Sequence, residues 1–315
     1  MLKIFSIVKN GDMKKKLISV VVVTRNRSKE AFEAISSIYQ QTYKPLEIIL
    51  VDNASADKTT EIIKKKYPRT KIIRSQINTG GAGGRNLGLL NTKGSFILFM
   101  DDDAVADKHM IAELLRVMEE DSKVGIVQPK IYDKDSKNVI QGIGHGINLL
   151  TGRVFGIGVG AEDHGQYENV MDVPMVGCTW MVRRIVFNKV GSYDEDFFIP
   201  YEDSDFSLRT TKAGFRVCFV PNAKVWHSGH RNSDLPKRLQ WLGITTPERA
   251  YRVSRNKIIF MKKHAPVVNL FIFLFVFTPI YTAIHTLLML LSKRFDILGD
   301  YWRGLVSGLV YVLKK

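Results

Sequence analysis

The stretch Ser95–Asp103, SFILFMDDD, joins an unbroken apolar run to three consecutive aspartates. An apolar run of this length, rich in aromatic and branched residues, is typical of a strand buried on both faces of a sheet. Two other runs have the same form: Leu17–Val23 leads into Thr24–Arg27, and Leu46–Val51 leads into Asp52–Ser55. Buried strands that end in polar clusters predict a mostly parallel sheet that binds its ligand at one edge.

Segments with helical periodicity separate these strands. Ser28–Gln41 predicts one helix, Lys58–Tyr67 a second and Asp107–Glu120 a third, and the glycine-rich segment Asn78–Gly88 leads into a shorter one. Strands that alternate with helices indicate an α/β fold with helices on both faces of the sheet. The three polar clusters should then meet beyond the carboxyl ends of the strands.

The distribution of charge separates the last third of the chain from the rest. The 315 residues carry 46 Lys and Arg against 31 Asp and Glu, a net charge of +15. Residues 1–206 hold 28 basic and 27 acidic side chains, whereas residues 207–315 hold 18 basic and 4 acidic ones. A basic protein is commonly a nucleic-acid binder, but here the excess surrounds an uncharged apolar run, Val267–Ser292. The pattern therefore predicts a membrane as partner, and no nucleic acid.

The apolar run Val267–Ser292 has 26 residues. As a helix it would be about 39 Å long, against roughly 30 Å of bilayer hydrocarbon. Basic residues flank both ends, so the positive-inside rule does not orient a single span. A hairpin that re-enters through Tyr301–Leu313, a helix that lies in the membrane interface, and a buried core helix all stay open. The basic segment Arg231–Lys263 is expected to steer a lipid-linked diphosphate or anionic headgroups.

The two cysteines, Cys178 and Cys218, stand in apolar surroundings and lack the spacing of metal ligands. We interpret both as buried reduced thiols, which fits a reducing compartment. The first 16 residues are mixed in character and end in a lysine run, and we expect no export signal there.

The three adjacent carboxylates Asp101–Asp103 repel one another unless a cation offsets their charge. Hard oxygen ligands suit Mg²⁺ or Mn²⁺, which commonly bridge protein carboxylates to substrate phosphates. The alternatives are a solvated acidic loop and the N-cap of the next helix, for which Asp107 is already a good candidate. We therefore predict a metal site at this strand end.

The motifs VVVVTRNR, VDNAS, NTGGAGGRNLGL, FMDDDA and YEDSDFSLR follow one another in order. This series resembles the family 2 glycosyltransferases of the GT-A fold, and it is most similar to their rhamnosyltransferase and galactofuranosyltransferase-like branch. The resemblance covers residues 17–230 and implies a GT-A domain there. Charge and hydropathy divide the rest into an N-terminal extension at 1–16, a basic amphipathic connector at 231–265 and a C-terminal segment of membrane-associated helices at 266–315.

The resemblance also implies an activity and a location. The expected reaction is an inverting, metal-dependent transfer of a sugar from a UDP- or dTDP-sugar donor to a lipid-linked or cell-surface glycan. Such a reaction belongs to cell-envelope polysaccharide biosynthesis, and the catalytic domain is expected at the cytoplasmic face of the cell membrane.

Individual positions receive roles from the same resemblance. The Asp52 carboxylate, an acceptor only, would take the imide N–H of uracil or thymine, and an Asx-turn is the alternative. The glycine loop would allow the ribose and diphosphate close to the backbone. The positions expected to bind the nucleotide are Thr24, Arg25, Asn26, Asp52, Asn53, Gly81, Arg85, Asn86, Asp101 and Asp102.

The metal ligands implied by the resemblance are Asp103 first, then Asp101 and His227. An imidazole is a reasonable ligand for Mn²⁺, so the expected cofactor is Mn²⁺ or Mg²⁺. A lone histidine is more often structural, and His230 is a weaker second candidate.

The catalytic base implied by the resemblance is Asp203, with Glu202 as the other candidate. It would take the proton of the acceptor hydroxyl during attack on the anomeric carbon. On the residues alone, this pair could equally cap the helix Ser204–Ala213. Trp180 and Asp102 would line the sugar or acceptor pocket, although a buried tryptophan is as often part of a core.

Two other classes of protein can be compared with the sequence without the family resemblance. A nucleotidyltransferase shares the parallel sheet and carboxylate-bound Mg²⁺, but it predicts a basic glycine-rich loop after the first strand, where TRNRSKE stands. A non-enzymatic basic nucleic-acid-binding protein predicts an affinity that falls steeply with salt. It leaves the aspartate clusters without a role.

Overall fold

The computed structural model describes residues 15–229 and 244–314. Its strands run in the order β10-β12-β6-β11-β4-β1-β2-β3 in one sheet, where β5 also pairs with β12 and β7 with β6, while β8 and β9 form a separate hairpin. The strands are β1 (Ile18–Thr24), β2 (Leu46–Asn53), β3 (Lys71–Ser75), β4 (Phe96–Asp101), β5 (Ala104–Ala106), β6 (Val124–Asp133), β7 (Ile140–Gly142), β8 (His145–Ile147), β9 (Val154–Gly156), β10 (Met171–Asp172), β11 (Thr179–Arg183) and β12 (Arg216–His227).

The longest ladders of the sheet are parallel. β1 lies between β2 and β4, β3 continues beyond β2, and β12 runs alongside β6, all in parallel. β11 enters antiparallel between β4 and β6 and joins the two parallel groups. The branched residues of β1 are almost all buried because helices cover both faces of the sheet.

Helices pack on both faces of this sheet. One core lies under α1 and α4, and a second lies under α3, α5 and α6. The predicted α/β class is therefore confirmed. The helices are α1 (Ser28–Tyr39), α2 (Thr59–Lys66), α3 (Gly80–Leu89), α4 (Met110–Glu120), α5 (Arg184–Val190), α6 (Glu202–Lys212), α7 (Pro247–His264), α8 (Val267–Leu291) and α9 (Phe295–Lys314).

Two predicted helix starts are wrong. α4 begins at Met110 rather than at Asp107, because the Asp107 carboxylate accepts the His109 backbone N–H (2.8 Å) in the turn before the helix. α6 begins two residues early, at Glu202, after Tyr201 adopts a left-handed conformation with φ 89°. The predictions for residues 1–14 and 230–243, His230 included, lie outside the described residues.

The helices α7, α8 and α9 form a C-terminal unit that is attached to the sheet domain through α7. Asn256 of α7 donates from Nδ2 to the carbonyls of Phe197 (2.5 Å) and Pro200 (2.9 Å). α7 and α9 approach so closely that a Cβ on Gly304 would lie 2.2 Å from the carbonyl oxygen of Tyr251. Only glycine fits there, so the two helices are in backbone contact.

The two faces of α8 differ in burial. The helix is long and apolar enough to cross a membrane, with a mean hydropathy of 2.2, yet only 17% of that apolar window is buried. The face that packs on the protein includes polar side chains and consists of Phe273, Thr278, Thr282, His285 and Met289. The exposed face is apolar and includes Phe271, Phe275, Ile280, Ile284, Leu287 and Leu291.

Candidate active site

A cleft of about 870 Å³ opens at the carboxyl ends of the parallel strands, within the usual size of small-molecule sites. In the parallel register, Thr24 at the end of β1 lies opposite Asp52, and Val23 lies opposite Asp101. The three polar clusters therefore meet at one edge of the sheet, as the pattern of strands predicts.

The aspartate cluster is paired with the protein's own cations. Arg27 Nη1 lies 3.1 Å from Asp102 Oδ1 and 3.2 Å from Asp103 Oδ2. On the other side, Arg85 Nη2 lies 3.1 Å from Asp101 Oδ1. The mutual repulsion of the carboxylates therefore does not by itself require a metal ion, contrary to the argument from sequence. The arrangement of their remaining donor atoms decides whether a metal fits.

Asp102 is held by residues from the end of β1 and the loop that follows it. Thr24 Oγ1 donates to its Oδ2 (2.7 Å), and Arg27 holds its Oδ1. Burial raises its pKa to about 6, against the opposing effects of Arg27 and Thr24. Both oxygens are thus engaged within the protein, although the residue still borders the cleft.

His227, at the end of β12, is oriented by Gln141. The amide Nε2 of Gln141 donates to the His227 carbonyl (2.8 Å), so its Oε1 accepts from the ring Nδ1–H (2.8 Å). This tautomer leaves the Nε2 lone pair toward the aspartates. Burial opposes the charged form of His227. When Nε2 also carries a proton, it donates to Asp103, and this hydrogen bond together with the charges of Asp103 and Asp101 outweighs burial and raises the pKa.

The donor atoms around His227 fit a divalent cation. Its Nε2 lies 3.1 Å from Asp103 Oδ1 and 3.9 Å from Asp101 Oδ2. Two carboxylate oxygens and one imidazole nitrogen are a suitable set for Mn²⁺. The three residues that the sequence predicts as ligands are therefore brought together.

Cys178 lies beside this set, which the sequence did not indicate. It borders the cleft, whereas Cys218 is buried in β12 and donates to Asp172 Oδ1 (3.2 Å). The interpretation as a buried thiol is therefore confirmed for Cys218, whereas Cys178 is only partly buried. Burial, with added effect from the charge of Asp101, raises its pKa well above the usual value.

Trp180 does not line the cleft, and the prediction that it forms a pocket wall is wrong. The side chain is 0% exposed, and its Nε1 donates to the Tyr193 hydroxyl (2.9 Å). The Arg85 guanidinium lies over the indole ring at 4.7 Å from its centroid. Trp180 is thus part of the support beneath Arg85.

The two candidate bases occupy different environments. Glu202 Oε1 is paired with Arg85 Nη1 at 2.5 Å, and burial raises its pKa to about 7. Asp203 Oδ1 accepts the Ser204 backbone N–H (2.6 Å) and hydroxyl (3.2 Å). Within the described residues Asp203 Oδ2 has no hydrogen-bond partner, and the residue borders the cleft. Burial also raises the pKa of Asp203, while Arg85 acts in the opposite direction.

His145 is a neighbour of this carboxylate that sequence reasoning missed. Its Nε2 lies 3.0 Å from Ser204 Oγ, so the serine hydroxyl connects it with Asp203. Burial lowers the pKa of His145 to about 4, and the ring is therefore neutral at pH 7. A single histidine in a glycine-rich stretch carries no signal of this contact.

Asp52 makes the Asx-turn that was the alternative to nucleotide binding. Its Oδ1 accepts the Ser55 backbone N–H at 2.9 Å. Its Oδ2 is buried with no hydrogen-bond partner in the described parts of the chain, and Arg74 Nε lies 3.5 Å away. Oδ2 thus has Arg74 as an ion-pair partner, and Asp52, 1% exposed, is not among the described residues that line the cleft.

Several predicted nucleotide-binding side chains are occupied within the protein. Asn86 binds the backbone of Tyr193 through both ends of its amide and also donates to Glu195, so it packs beneath the cleft. The Asn53 amide holds Gly80 and Thr79 in the glycine loop. The predicted direct contact of Asn86 with the ligand is therefore wrong, since its polar atoms are already used.

The remaining predicted nucleotide-binding residues differ in whether they line the cleft. Thr24, Arg25 and Gly81 border the cleft. Asn26, in a left-handed conformation with φ 54°, accepts the Ala56 backbone N–H (2.7 Å) and is not among the described residues that line the cleft. Its side chain orders the loop after β1 instead.

The fold and its acidic strand ends define a nucleotide-sugar-binding class of sheet domain, the GT-A fold. Residues 19–191, more than half of the chain, match Glycosyl transferase family 2. The chain belongs to this family. A 30% identical relative, the uncharacterized glycosyltransferase YwdF of Bacillus subtilis, aligns over 71% of the chain and 81% of its own length.

Two further proteins are similar over most of the chain. The N-acetylglucosaminyl-diphospho-decaprenol L-rhamnosyltransferase of Mycobacterium tuberculosis is 24% identical over 67% of the chain and 76% of its own length. The structure of the mannosyltransferase PcManGT from Pyrobaculum calidifontis, in complex with GDP-Man and Mn²⁺, superposes with a TM-score of 0.57. That pair is 17% identical, over 94% of the chain and 88% of PcManGT, so the likeness shows the fold alone.

Some relatives extend well beyond the region of similarity. The chain spans 18% of an uncharacterized Rickettsia conorii glycosyltransferase that is 40% identical over 33% of the chain. It spans 42% of the glycosyltransferase GlyG of Streptococcus pneumoniae, which is 35% identical over 39% of the chain.

Proposed function

We propose that the chain is a metal-dependent, inverting glycosyltransferase that moves a sugar from a nucleoside-diphosphate donor to a hydroxyl acceptor. The observation that carries this is the convergence of Asp101, Asp103 and His227 with Asp203 on one cleft. Membership of the family supports the reaction class. The nucleotide sugars named in the structures of similar fold support the type of donor.

The donor's base is proposed to bind near Asp52. The buried Oδ2 lies 3.5 Å from Arg74 Nε but accepts no hydrogen bond from the described residues, and a buried acceptor left without one costs up to about 1–3 kcal/mol. An imide N–H of uracil or thymine would satisfy it, which favours a UDP- or dTDP-sugar. Thr24, Arg25 and Gly81 would border the ribose and diphosphate. Arg85 would contribute by orienting the Asp101 carboxylate through their ion pair.

The cation is proposed to be held by Asp101, Asp103 and His227. When bound, it would neutralise negative charge on the departing nucleoside diphosphate. Gln141 holds the imidazole in the ligating tautomer. The choice between Mn²⁺ and Mg²⁺ depends on whether nitrogen and softer ligands take part, and an imidazole favours Mn²⁺.

Asp203, rather than Glu202, is proposed as the general base. Both residues border the cleft, and each has one oxygen without a hydrogen-bond partner among the described residues. Glu202, however, is held in an ion pair with Arg85, whereas the Asp203 carboxylate is bonded only by Ser204, through Oδ1, and leaves Oδ2 available. That oxygen would accept the proton of the acceptor hydroxyl as it attacks the anomeric carbon from the face opposite the diphosphate. A single displacement of this kind inverts the anomeric configuration.

The C-terminal unit is proposed to bind the cytoplasmic surface of the cell membrane. Because one face of α8 packs against α7 and α9 along much of its length, we favour a helix that lies in the interface over one that spans. Exposed aromatic residues such as Trp302, and the basic pairs Lys262–Lys263 and Lys293–Arg294, suit the headgroup region. The acceptor is proposed to be lipid-linked, which the Mycobacterium relative's name supports.

A depth measurement distinguishes the two membrane modes. Residues 280 and 291 are both exposed on α8, one near the middle of the helix and one at its end, 11 positions or about 17 Å apart. A fluorophore attached at Ile280→Cys or at Leu291→Cys should be quenched equally by lipids brominated at one acyl position, provided both native cysteines are replaced by serine. Unequal quenching would favour a span.

The central experiment is a donor screen. UDP-, dTDP- and GDP-sugars are tested for binding by calorimetry and for hydrolysis, with Mn²⁺, with Mg²⁺ and with a chelator. We expect metal-dependent binding of a UDP- or dTDP-sugar. Absence of any metal-dependent nucleotide binding would contradict the proposed function.

A further inference from the structure

The thiol of Cys178 stands among groups that suit a metal ion. Its Sγ, a carboxylate oxygen of Asp101 and a ring nitrogen of His227 all lie within 4.8 Å of one another. All three side chains are partly exposed and border the cleft. The chain's other cysteine, Cys218, is buried and bonded to Asp172 instead.

The local backbone fixes this position of the thiol. Cys178 has φ 64°, in the left-handed region that few side chains adopt. Its carbonyl accepts the Asp101 N–H (3.0 Å), and the Thr179 N–H donates to the Gly177 carbonyl (2.7 Å). These bonds hold the residue where β11 joins β4, so the thiol and the Asp101 carboxylate belong to one rigid segment.

The distances allow one ion to reach all three groups. Atoms within 4.8 Å of one another share a point no more than about 2.8 Å from each, and metal bonds to sulfur and nitrogen are about 2.0–2.3 Å. Side-chain shifts of less than about 1 Å therefore complete the coordination. Asp103 Oδ1, 3.1 Å from His227 Nε2, provides a further ligand.

We propose that Cys178 Sγ is a ligand of the divalent cation held by Asp101, Asp103 and His227, and that it shifts the preference of this site from Mg²⁺ towards thiophilic ions. The inference rests on the cation site of the proposed function. On binding, the S–H bond breaks, its proton passes to solvent, and a sulfur–metal bond forms without oxidation of either partner. Thiolate ligands select soft or borderline ions such as Zn²⁺ and Co²⁺.

The test is spectroscopic and uses the full chain freed of metal by a chelator. Titration with Co²⁺ should produce a sulfur-to-cobalt charge-transfer band in the near ultraviolet. Cys178→Ser should lose the band and bind Cd²⁺ at least about tenfold more weakly, while the matched variant Cys218→Ser keeps both. Cys178→Gly serves as a second variant, because glycine adopts the required φ without strain.

The outcomes separate this inference from the proposed function. If Mn²⁺ binds by calorimetry but Co²⁺ gives no charge-transfer band in the native chain, the thiol is not a ligand and only this inference fails. A band that survives in both Cys178 variants would likewise overturn it. If neither Mn²⁺ nor Co²⁺ binds, the cation site of the proposed function fails as well. A band lost in both Cys178 variants and kept in Cys218→Ser supports the assignment.

Discussion

The cleft and the helix α8 place polar and apolar groups in opposite ways. In the cleft domain, apolar strands are inside, and the buried Arg85 is paired with the buried Glu202 and with the partly exposed Asp101. In α8, the polar residues Thr278, Thr282 and His285 face the protein, while the large apolar residues face outward. Water accounts for the first arrangement, since it favours burial of apolar surface. The second arrangement exposes apolar surface to water unless other apolar groups cover it, as the proposed membrane contact would.

The largest effect is expected in the cleft, from loss of the base. Asp203→Asn should reduce transfer by about 10³- to 10⁴-fold, or about 4–5 kcal/mol in activation free energy, because the amide cannot accept the proton. Donor binding should be retained, and calorimetry with the same donor checks this. Near-normal transfer by the variant would contradict the role of Asp203 and direct attention to Glu202.

Arg85 tests whether the charges in the cleft are held by pairing. Arg85→Met should lower the free energy of unfolding by about 3–4 kcal/mol, since it leaves Glu202 buried without its partner. Denaturant titration measures this. The double variant Arg85→Met/Glu202→Gln should recover part of the loss, because only one of the two carboxylates paired with Arg85, that of Asp101, then remains without its partner. If the double variant recovers no stability, the lowered free energy of unfolding arises instead from the lost packing of the Arg85 side chain on Trp180.

Substitutions on the exposed apolar face of α8 test whether that face binds a membrane. Phe275→Glu/Ile284→Glu should weaken binding to anionic vesicles by about 10²-fold, through lost apolar burial and added repulsion. The melting temperature should barely change, because both residues are exposed. The control Ile62→Glu/Leu90→Glu makes the same change at exposed apolar positions of the sheet domain. Equal loss in both variants would contradict a specific membrane face.

The smallest effect concerns pH. Burial lowers the pKa of His145 to about 4, whereas in the unfolded chain it is about 6.5. Below pH 6.5 the unfolded state binds a proton that the folded state does not, so stability falls as the pH decreases from 6.5 to 4. His145→Gln should reduce this fall by roughly 2 kcal/mol. Unfolding titrations of both proteins at pH 7 and pH 4.5 measure the difference.

The features that depend on local pattern could be predicted from the sequence. Buried β-branched runs determine where β1, β2 and β4 end, so the sequence alone places Thr24, Asp52 and Asp101 at one edge of the sheet. The assignment of Trp180 to the pocket is wrong for a backbone reason. Cys178 has a left-handed conformation, which interrupts the alternation of side chains between the two faces of the sheet at the start of β11. No residue type at this point predicts that conformation.

Contacts across long separations could not be predicted in this way. Asn86 is occupied by Tyr193, and His145 approaches Asp203 through Ser204, in both cases through loops remote in sequence. Hydropathy identifies α8 as apolar but not which face is covered. That face depends on its packing against α7 and α9.

The backbone contact between α7 and α9 at Gly304 also bears on the reach of the cleft. α7 is bound through Asn256 to the Phe197–Pro200 segment beside the cleft, so α7 connects the cleft with the helices on which α8 packs. If α8 rests on a membrane as proposed, these contacts set the height of the cleft above it. A lipid-linked acceptor of the proposed kind would then react only if its hydroxyl reached that height, and acceptors would be selected by length as well as by chemistry.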